Sequence, residues 1–351
     1  MRNVVLKKIN VALVGYGSQG TRIASAISAQ RDMELVGVCL KEPDISALMA
    51  FGKGFPIYLV DSDYAGGFKK AGIDIQGSIL ELLSKVDVVV DVTPSGVGKE
   101  NKEKFYSRYN VKCVFQAGES LEVADIPAFV STINFDEARK VNSVRIPSPL
   151  AVSLTRTLKP LDAKFGIKHA TCTLIRPGTE PMRGHHGPVD TIIPDKPYVE
   201  QKTPRDEMWR MFPKDVIFAS FAVPSILLAV ENVIVDLERR ASTKSVINLL
   251  CKVFRTILVR GGMGLNSTDA IFEYIRRVAR PSADVYEVCV WQEHVEALDD
   301  RLKLVQAFDP HCVQTPEVID AIRALANTTT LEKSLKLTDK TLKILGPRIY
   351  P

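Results

Sequence analysis

The ten residues VALVGYGSQG, at positions 11–20, decide the fold of the first half of this chain. An apolar strand over Val11–Val14 runs into a G-x-G-x-x-G pattern, and a helical pattern over Thr21–Gln30 follows at once. In such a turn the first glycine allows a tight bend, the second lets the backbone approach a pyrophosphate, and the third allows close packing of the helix on the strand. The N–H groups that open the helix supply donors for phosphate. The stretch therefore predicts a dinucleotide site at Gly15, Tyr16, Gly17, Ser18, Gln19 and Gly20.

Strands and helices alternate on either side of this turn. The strand Glu34–Leu40 completes a βαβ unit, and the apolar runs at 87–92 and 112–115 do not alternate with polar residues. Unbroken apolar strands are typical of a parallel sheet that is buried on both faces. With helices expected at Ile79–Leu83 and Lys99–Tyr109, they predict a doubly wound Rossmann domain over residues 1–140.

The pattern changes between residues 141 and 302, where longer strands predominate. The predicted strands are Ala170–Ile175, Val216–Val223, Ala229–Leu237 and Thr256–Val259, interrupted by helices at Thr243–Phe254 and Thr268–Val278. Strands that follow one another in this way are typical of an antiparallel sheet. We therefore expect an α/β protein, with a Rossmann dinucleotide-binding domain and an α+β, mostly antiparallel second domain.

The composition is that of an ordinary globular protein and excludes several classes. With 351 residues, 46% of them apolar and 25% charged, the chain can bury the cores of two domains. A net charge of +5, spread without a basic tail, is too mild to indicate a nucleic-acid binder. No apolar run approaches the ~20 residues of a membrane span, and the first residues lack a signal-peptide pattern, so we expect a cytoplasmic protein. The six cysteines form no C-x-x-C pair and are expected to be reduced and buried.

The end of the second strand bears on the choice of cofactor. An NAD site usually places an acid for the ribose hydroxyls about 20 residues beyond the glycines, where this chain has Leu40 and Lys41. A cation there suits the 2′-phosphate of NADP, whereas Glu42, one residue further on, is the alternative ribose acid. NADP is thus favoured over NAD, and Lys41 is either a phosphate ligand or a solvated loop charge.

Several long motifs resemble the archaeal type of phosphorylating glyceraldehyde-3-phosphate dehydrogenase. They run over nearly the whole chain and read VGYGSQGTRIA (14–24), CLKEPD (39–44), VDVTPSGVGKENK (90–102), FQAGESLEV (115–123), STDAIFEYIRRVARPSADVYEVCVW (267–291) and PEVIDAIRAL (316–325). The resemblance implies a Rossmann domain, an antiparallel catalytic domain and a homotetramer. It also implies a C-terminal helix that folds back onto the Rossmann part, so that residues 303–351 join residues 1–140. It also implies that Thr93 and Gly118 belong to the cofactor site.

One departure from the family concerns its nucleophile. Members carry a catalytic cysteine in a stretch like S-C-N-T-T-G-L-C-R-T-L, at a helix N-terminus that lowers the pKa of the thiol. Aligned on the Arg-Thr-Leu at 156–158, this chain has Pro149 at the cysteine position, and Leu150, Ala151 and Val152 follow it. Ser148 and Pro149 are still a favourable N-cap and first helical residue, so the helix is expected to remain. The family's catalytic site is thus predicted to lack its nucleophile, and no residue of this chain is predicted to be catalytic.

A second departure concerns the family's histidine pair, which occurs in a stretch like V-P-S-H-H-G-P-D. Aligned on Val199 and Asp206, this chain has Lys202 and Thr203 at the histidine positions. A lysine near its usual pKa is a poor base at neutral pH.

Other residues near the lost site offer weak substitutes. His185 and His186 lie in a Gly-His-His-Gly-Pro sequence that is spelled like the lost motif, but they precede Thr191–Asp195, which matches an upstream part of the family pattern. They are therefore either a polar loop or a ligand or base. Ser148 and Ser153 flank the lost cysteine, but the sequence shows no base beside either serine.

Two arginines match positions that the family keeps near its substrate and phosphate sites. Arg156 and Arg176 either hold a small phosphorylated or carboxylated ligand or form salt bridges between the domains. The sequence has no H-E-x-x-H motif and no acidic triad, so no metal site is predicted.

Three functions are consistent with this sequence. The first is a homologue that binds NADP or NAD but has lost aldehyde oxidation and works as a binding, regulatory or assembly protein. The second is a repurposed oxidoreductase that acts on another carbonyl, alcohol or imine without a covalent intermediate, with Lys202, His185 or His186 as proton donor. The third, indicated only by the basic pI of 8.8, is a partner of RNA or of another macromolecule.

Overall fold

The computed structural model describes residues 8–116, 118–178, 190–200 and 202–346, without the side chain of Lys202. The chain divides into two compact units. The first unit consists of Met1–Pro147 with Thr315–Leu342, and the second of Ser148–Gln314 with Lys343–Pro351. The second unit is therefore inserted between two stretches of chain that together form the first.

The strands and helices are numbered in chain order. The strands are β1 (Ile9–Val14), β2 (Met33–Leu40), β3 (Ile57–Leu59), β4 (Ile75–Ser78), β5 (Val88–Asp91), β6 (Lys112–Phe115), β7 (Ser143–Arg145), β8 (Ile167–Pro177), β9 (Ile193–Pro194), β10 (Asp215–Val223), β11 (Ala229–Leu237), β12 (Thr256–Val259), β13 (Val288–Trp291), β14 (Glu296–Leu298) and β15 (Arg301–Phe308). The helices are α1 (Ser18–Ala29), α2 (Ile45–Gly52), α3 (Ala65–Lys70), α4 (Ile79–Leu83), α5 (Val97–Lys104), α6 (Ser131–Ala138), α7 (Pro149–Phe165), α8 (Lys202–Met211), α9 (Thr243–Leu250), α10 (Thr268–Val278), α11 (Thr315–Leu325) and α12 (Leu331–Thr341).

The sheet of the first unit is parallel and doubly wound. Its strand order is β4-β3-β2-β1-β5-β6-β7, and all neighbouring strands pair in parallel. Residues 11–14 of β1 and all of β5 are buried, as expected for strands covered on both faces. The strand β2 pairs with one edge of β1, and β5 pairs with the opposite edge, so the strand order reverses at β1. Ligands of open α/β sheets bind at such a topological switch point.

The C-terminal stretch completes this first unit. Every residue of α11 is buried. Arg323 on α11 donates hydrogen bonds to both carboxylate oxygens of Asp32, at 2.8 Å, and to the Gln30 amide oxygen at 2.7 Å. Asp32 and Arg323 are 291 positions apart in sequence. At the start of α6, the Ser131 N–H and hydroxyl donate to Glu317 of α11.

The second unit contains a mixed, mostly antiparallel sheet. Its strand order is β12-β13-β15-β11-β8-β10-β9, and β14 pairs with β15 outside this path. At its centre β11 runs antiparallel to both β8 and β15, whereas β8 with β10 and β12 with β13 are parallel pairs. A Rossmann-like sheet with a mixed second sheet confirms the predicted fold class.

Some predicted bounds are wrong. The strand β15 lies inside the second sheet, paired with β11 and β13, so the chain returns to the first unit at Thr315 and not at residue 303. The first unit extends to Pro147, beyond the expected residue 140, because β7 pairs with β6. The helix expected to reach Tyr109 ends at Lys104, and a short 3-10 turn follows it at Tyr106–Arg108.

Two further expectations concern membranes and cysteines. No helix in the described part of the chain is long and apolar enough to cross a membrane. All six cysteines are free, and five are buried, while Cys251 is half-buried. Burial raises the pKa of the Cys172 and Cys289 thiols well above the usual value, which makes them unreactive.

Candidate functional site

The three glycines of the turn after β1 have the geometry that a dinucleotide requires. Gly15 has a φ of +91°, which disfavours other residues, and its N–H donates to Cys39 O of β2. A Cβ on Gly20 would lie 2.6 Å from Gly15 O, so only glycine lets α1 pack this close. A Cβ on Gly17 would meet no described atom within 4 Å. The space in front of Gly17 is therefore open to a ligand.

The start of α1 is free of side-chain caps. Gly17 is the N-cap residue, and no side chain in the described ranges caps this helix. Ser18 and Gln19 are half-exposed, whereas the Tyr16 ring is buried and packs edge-on against Phe55, with ring centroids 6.1 Å apart. Tyr16 thus offers its backbone to this site and its side chain to the core. Backbone N–H groups at an uncapped helix N-terminus suit a phosphate.

Lys41 and Glu42, beyond the end of β2, remain available to solvent. Their side chains are 64% and 59% exposed, and Lys41 Nζ is 4.0 Å from Glu42 Oε1. Lys41 Nζ also lies 5.7 Å from the centre of the Tyr64 ring. A pair this long and exposed is weak, so either side chain is free to face a ribose. The NADP and NAD alternatives both stay open on this geometry.

Thr93 and Gly118 follow the neighbouring strands β5 and β6, and Ser95 joins the two loops. The Ser95 hydroxyl donates to Gly118 O at 2.8 Å, and Gly118 has a φ of +84°. An added Cβ at Gly15 would lie 3.3 Å from Thr93 N, which places the loop after β5 directly against the glycine turn. The structure therefore gathers the predicted cofactor residues at the carboxyl edge of the sheet.

In the second unit, α7 begins as predicted. Ser148 is the N-cap residue, with its hydroxyl accepting from Ala151 N at 3.3 Å, and Pro149 is the first helical residue. Leu150, Ala151 and Val152 are all buried. The side chains at the positions that follow the family's nucleophile are thus packed into the core of this unit.

The expectation that no base lies beside these serines is wrong for Ser148 only, since the carboxyl group beside Ser153 belongs to Glu231, whose pKa is raised. The Ser148 hydroxyl and N–H both donate to Glu207 Oε2 of α8, at 2.5 and 3.0 Å, and Glu207 is fully buried. The Ser153 hydroxyl donates to Glu231 Oε2 of β11 at 2.7 Å. The sequence did not reveal these contacts, because the partners are 59 and 78 positions apart and no motif joins them.

Glu231 is a buried acid and not an available base. Gln306 of β15 donates to its Oε2 at 2.6 Å, and the side chain is completely buried. Burial raises its pKa to about 8. The hydrogen bonds from Gln306 and Ser153 lower the pKa, but they offset only part of this effect. At neutral pH the Glu231 carboxyl therefore holds a proton.

The positions aligned with the family's histidines open α8. Lys202 is its first residue, and the Thr203 side chain is exposed. Glu207, one turn further along, is the residue of α8 that points to the start of α7. His185 and His186 lie outside the described residues.

Both candidate anion-binding arginines have partners within the second unit. Arg156 is buried and donates to the carbonyl oxygens of Tyr286 and Val313, each at 2.8 Å. Arg176 makes a two-bond ion pair with Asp195, which raises the pKa of the guanidinium and lowers that of the carboxyl. Tyr286, Val313 and Asp195 all belong to the same unit as the two arginines.

The described residues bring together no group of three or more His, Cys, Asp or Glu side chains that would hold a metal ion. In the first unit the space over Gly17 is open, the start of α1 has backbone N–H groups without a side-chain cap, and Lys41 is an exposed cation after β2.

Comparison with known proteins agrees with this geometry. Residues 9–117 match the family described as dihydrodipicolinate reductase, N-terminus. The chain is 34% identical to glyceraldehyde-3-phosphate dehydrogenase of Methanobacterium bryantii over 337 residues, which cover 96% of this chain and 99% of that protein. It is 36% identical to the enzyme of the same name from Pyrobaculum neutrophilum, over 96% of this chain and 97% of that one.

A solved structure shows the same fold at lower identity. Aspartate semialdehyde dehydrogenase II from Vibrio cholerae superposes with a TM-score of 0.68 and 14% identity. The match covers 92% of this chain and 100% of that one. The likeness extends over both units.

Proposed function

Since the chain belongs to the glyceraldehyde-3-phosphate dehydrogenase family, we propose that it keeps the family's nicotinamide-nucleotide site and has lost phosphorylating aldehyde oxidation. In this proposal the protein works as a binding, regulatory or assembly component. The observation that carries the proposal is Pro149 at the first helical position of α7, where the motifs place the family's catalytic cysteine.

The chemistry of acyl transfer explains why this replacement matters. Oxidation through an acyl-enzyme needs a thiolate that attacks the carbonyl carbon, and proline has neither a nucleophile nor an N–H donor. The neighbouring Ser148 hydroxyl is already engaged by Glu207 and Ala151 N. The carboxyl group of Glu207 lies at the N-terminus of α7, where the helix dipole favours an anion, so it occupies the position of a bound anion.

The cofactor half of the proposal rests on the first unit. Gly17 leaves room for a pyrophosphate at the uncapped start of α1, and the cation at position 41 in the sequence, where an NAD site usually has an acid, supports NADP over NAD. A bound nicotinamide would supply a hydride donor or acceptor. The protein's own contribution is to bind and orient that group.

Titration calorimetry with NADPH and NADH tests the cofactor. Micromolar binding by the wild type is expected, and Gly17→Ala should abolish it, because the new Cβ projects into the open space that the pyrophosphate would fill. Gly262→Ala is the matched control, since its Cβ also meets no described atom within 4 Å and Gly262 belongs to the second unit. Wild-type protein that binds neither nucleotide at millimolar concentration would overturn this half of the proposal.

The loss of activity is tested with glyceraldehyde 3-phosphate, NAD(P) and inorganic phosphate. We expect no phosphate-dependent reduction of the nucleotide. Turnover within about a hundredfold of ordinary dehydrogenases would overturn the proposal. Single-turnover trapping distinguishes a slow enzyme from none, because an acyl-enzyme would add mass to the chain.

A repurposed oxidoreductase is the second candidate, and the Ser148–Glu207 pair favours it. A protonated Glu207 carboxyl would pass its proton through the Ser148 hydroxyl to a carbonyl oxygen without any covalent intermediate, and Glu207 would be left as the carboxylate. Oxidation of NADPH by phosphorylated or carboxylated carbonyl compounds would select this candidate, provided that Ser148→Ala removes the activity. Activity that survives in Ser148→Ala would point instead to Lys202, His185 or His186.

We also propose a cytoplasmic homotetramer. Ile175, Ile217 and Ile234 lie on neighbouring strands of the second sheet and are 42%, 41% and 38% exposed, so this face has apolar surface for a second copy. Sedimentation equilibrium tests the assembly, and a monomer at micromolar concentration would contradict it. An RNA partner would require a mobility shift that weakens with salt.

A further inference from the structure

We propose that Asp91, at the end of β5, positions the nicotinamide half of the cofactor site by holding the loop at 92–96 against the glycine turn. The inference rests on the proposed cofactor binding and adds a residue that does not itself reach the ligand. Asp91 is a positioning residue, because its side chain is 1% exposed.

The two carboxylate oxygens of Asp91 have different tasks. Oδ1 accepts from Thr93 N at 3.0 Å and from the Thr93 hydroxyl at 2.5 Å. Oδ2 accepts from Asn101 Nδ2 of α5 at 2.9 Å and from the Tyr106 hydroxyl at 2.6 Å. One oxygen thus fixes the loop after β5, and the other fixes the helix and turn behind it. The backbone takes part as well, since Asp91 O accepts from Gln116 N at the end of β6.

The carboxylate is held by neutral donors. Within the described residues no lysine or arginine forms an ion pair with Asp91, and its charge adds to burial in raising the pKa of Tyr106 and Cys39. A buried charge without a counter-ion is costly, so packing alone would favour a neutral residue here. Its contribution is orientation, because charge-assisted bonds are stronger and shorter than neutral ones.

The oriented loop lies on one particular side of the site. β5 pairs with β1 on the side opposite β2, and the loop after β2 carries Lys41. In a doubly wound sheet the β2 side serves the adenosine ribose, so the loop after β5 serves the other nucleotide. Thr93 abuts Gly15, and Ser95 ties the same loop to Gly118. Removing the hydrogen bonds between Asp91 and this loop should therefore weaken contacts to the nicotinamide half and leave binding of the adenine half unchanged.

The test compares two ligands on four proteins by calorimetry. The ligands are the preferred dinucleotide, NADPH or NADH, and its adenine half, adenosine 2′,5′-bisphosphate or AMP. The proteins are wild type, Asp91→Asn, Thr93→Val and Tyr106→Phe. Asp91→Asn keeps the shape but loses the charge, Thr93→Val removes one bond to Oδ1, and Tyr106→Phe is the matched control that removes one bond to Oδ2. We expect Asp91→Asn and Thr93→Val to weaken binding of the dinucleotide about tenfold and to leave binding of the adenine half unchanged. Tyr106→Phe should bind both ligands as the wild type does.

Each outcome decides the inference. Equal loss for both ligands, or the same loss in Tyr106→Phe, would show that Asp91 only supports the fold and would overturn it. Unchanged affinity in Asp91→Asn would also overturn it while leaving the proposed cofactor binding in place. A wild type that binds neither ligand would remove the proposed function and this inference together. Should Asp91→Asn fail to fold, the contrast between Thr93→Val and Tyr106→Phe decides in the same way.

Discussion

Glu231→Gln changes one oxygen of a buried carboxyl to nitrogen, and it should remove much of the pH dependence of stability. Glu231 is completely buried, between Ser153 of α7 and Gln306 of β15. Burial raises its pKa from 4.5 to about 8. Near neutral pH the folded protein therefore holds a proton on this side chain, while the unfolded chain releases it.

The sign and size of the effect follow from this difference in proton binding. Well below pH 4.5 the side chain is protonated in both states, and its stabilising contribution is fully present. Between pH 4.5 and about 8 the free energy of unfolding falls by about 1.4 kcal/mol per pH unit. The loss reaches roughly 3 kcal/mol near pH 7 and levels off at about 5 kcal/mol above pH 8.

Urea unfolding followed by circular dichroism, from about pH 5 to about pH 8, measures this loss. Glutamine mimics the protonated acid, so the variant should match wild type near pH 5 and exceed it by roughly 3 kcal/mol near pH 7. Glu273→Gln on α10 is the control. Arg276 and Arg277 lower the Glu273 pKa to about 2, so this side chain titrates below the measured range and its removal should leave the slope unchanged. Parallel curves for wild type and Glu231→Gln would refute the reasoning.

Three further outcomes are expected. In calorimetry, Lys41→Ala should weaken the binding of NADPH about tenfold and leave the binding of NADH almost unchanged. Equal losses of affinity for both nucleotides would show that Lys41 is a solvated loop charge. Ser148→Ala removes the α7 cap and a donor to buried Glu207, so it should lower the unfolding free energy by about 1–3 kcal/mol in urea titrations, and an unchanged midpoint would contradict the capping role. Arg280→Met leaves the buried Glu287 carboxylate without its partner and should lower the free energy of unfolding by about 3–5 kcal/mol. Adding Glu287→Leu should recover most of this loss, and a double variant as unstable as the single one would contradict the prediction.

The fold could be predicted because its signals are local. The helices Ile79–Leu83 and Thr268–Val278 and the strands Lys112–Phe115 and Thr256–Val259 have the predicted bounds, since apolar period and capping residues lie within each segment. The boundary near residue 302 failed because β15, which pairs with β11 and β13, extends the second sheet beyond it. Strands as short as β3 give too few residues for a period.

The site was predictable only on its backbone side. The tasks of the three glycines follow from spacing and mechanism, and the observed geometry agrees with them. The partners of Ser148 and Asp91 did not follow, because a carboxylate brought close by tertiary packing leaves no spacing rule in the sequence. A glutamate on a helix such as α8 is ordinarily solvated, and only burial distinguishes Glu207.

The discontinuous first unit has a consequence for how this protein is made. During synthesis the strands β1–β7 emerge before α11. The hydrogen bonds between Asp32 and Arg323 form only after the chain has grown by 291 positions beyond Asp32. Domains usually fold as units while the chain grows, so the first stretch remains incomplete while the inserted second unit is translated. Its apolar strands stay exposed to chaperones and to other nascent chains over that interval. A ribosome that stalls before Thr315 would therefore release a chain with no finished nucleotide-binding unit.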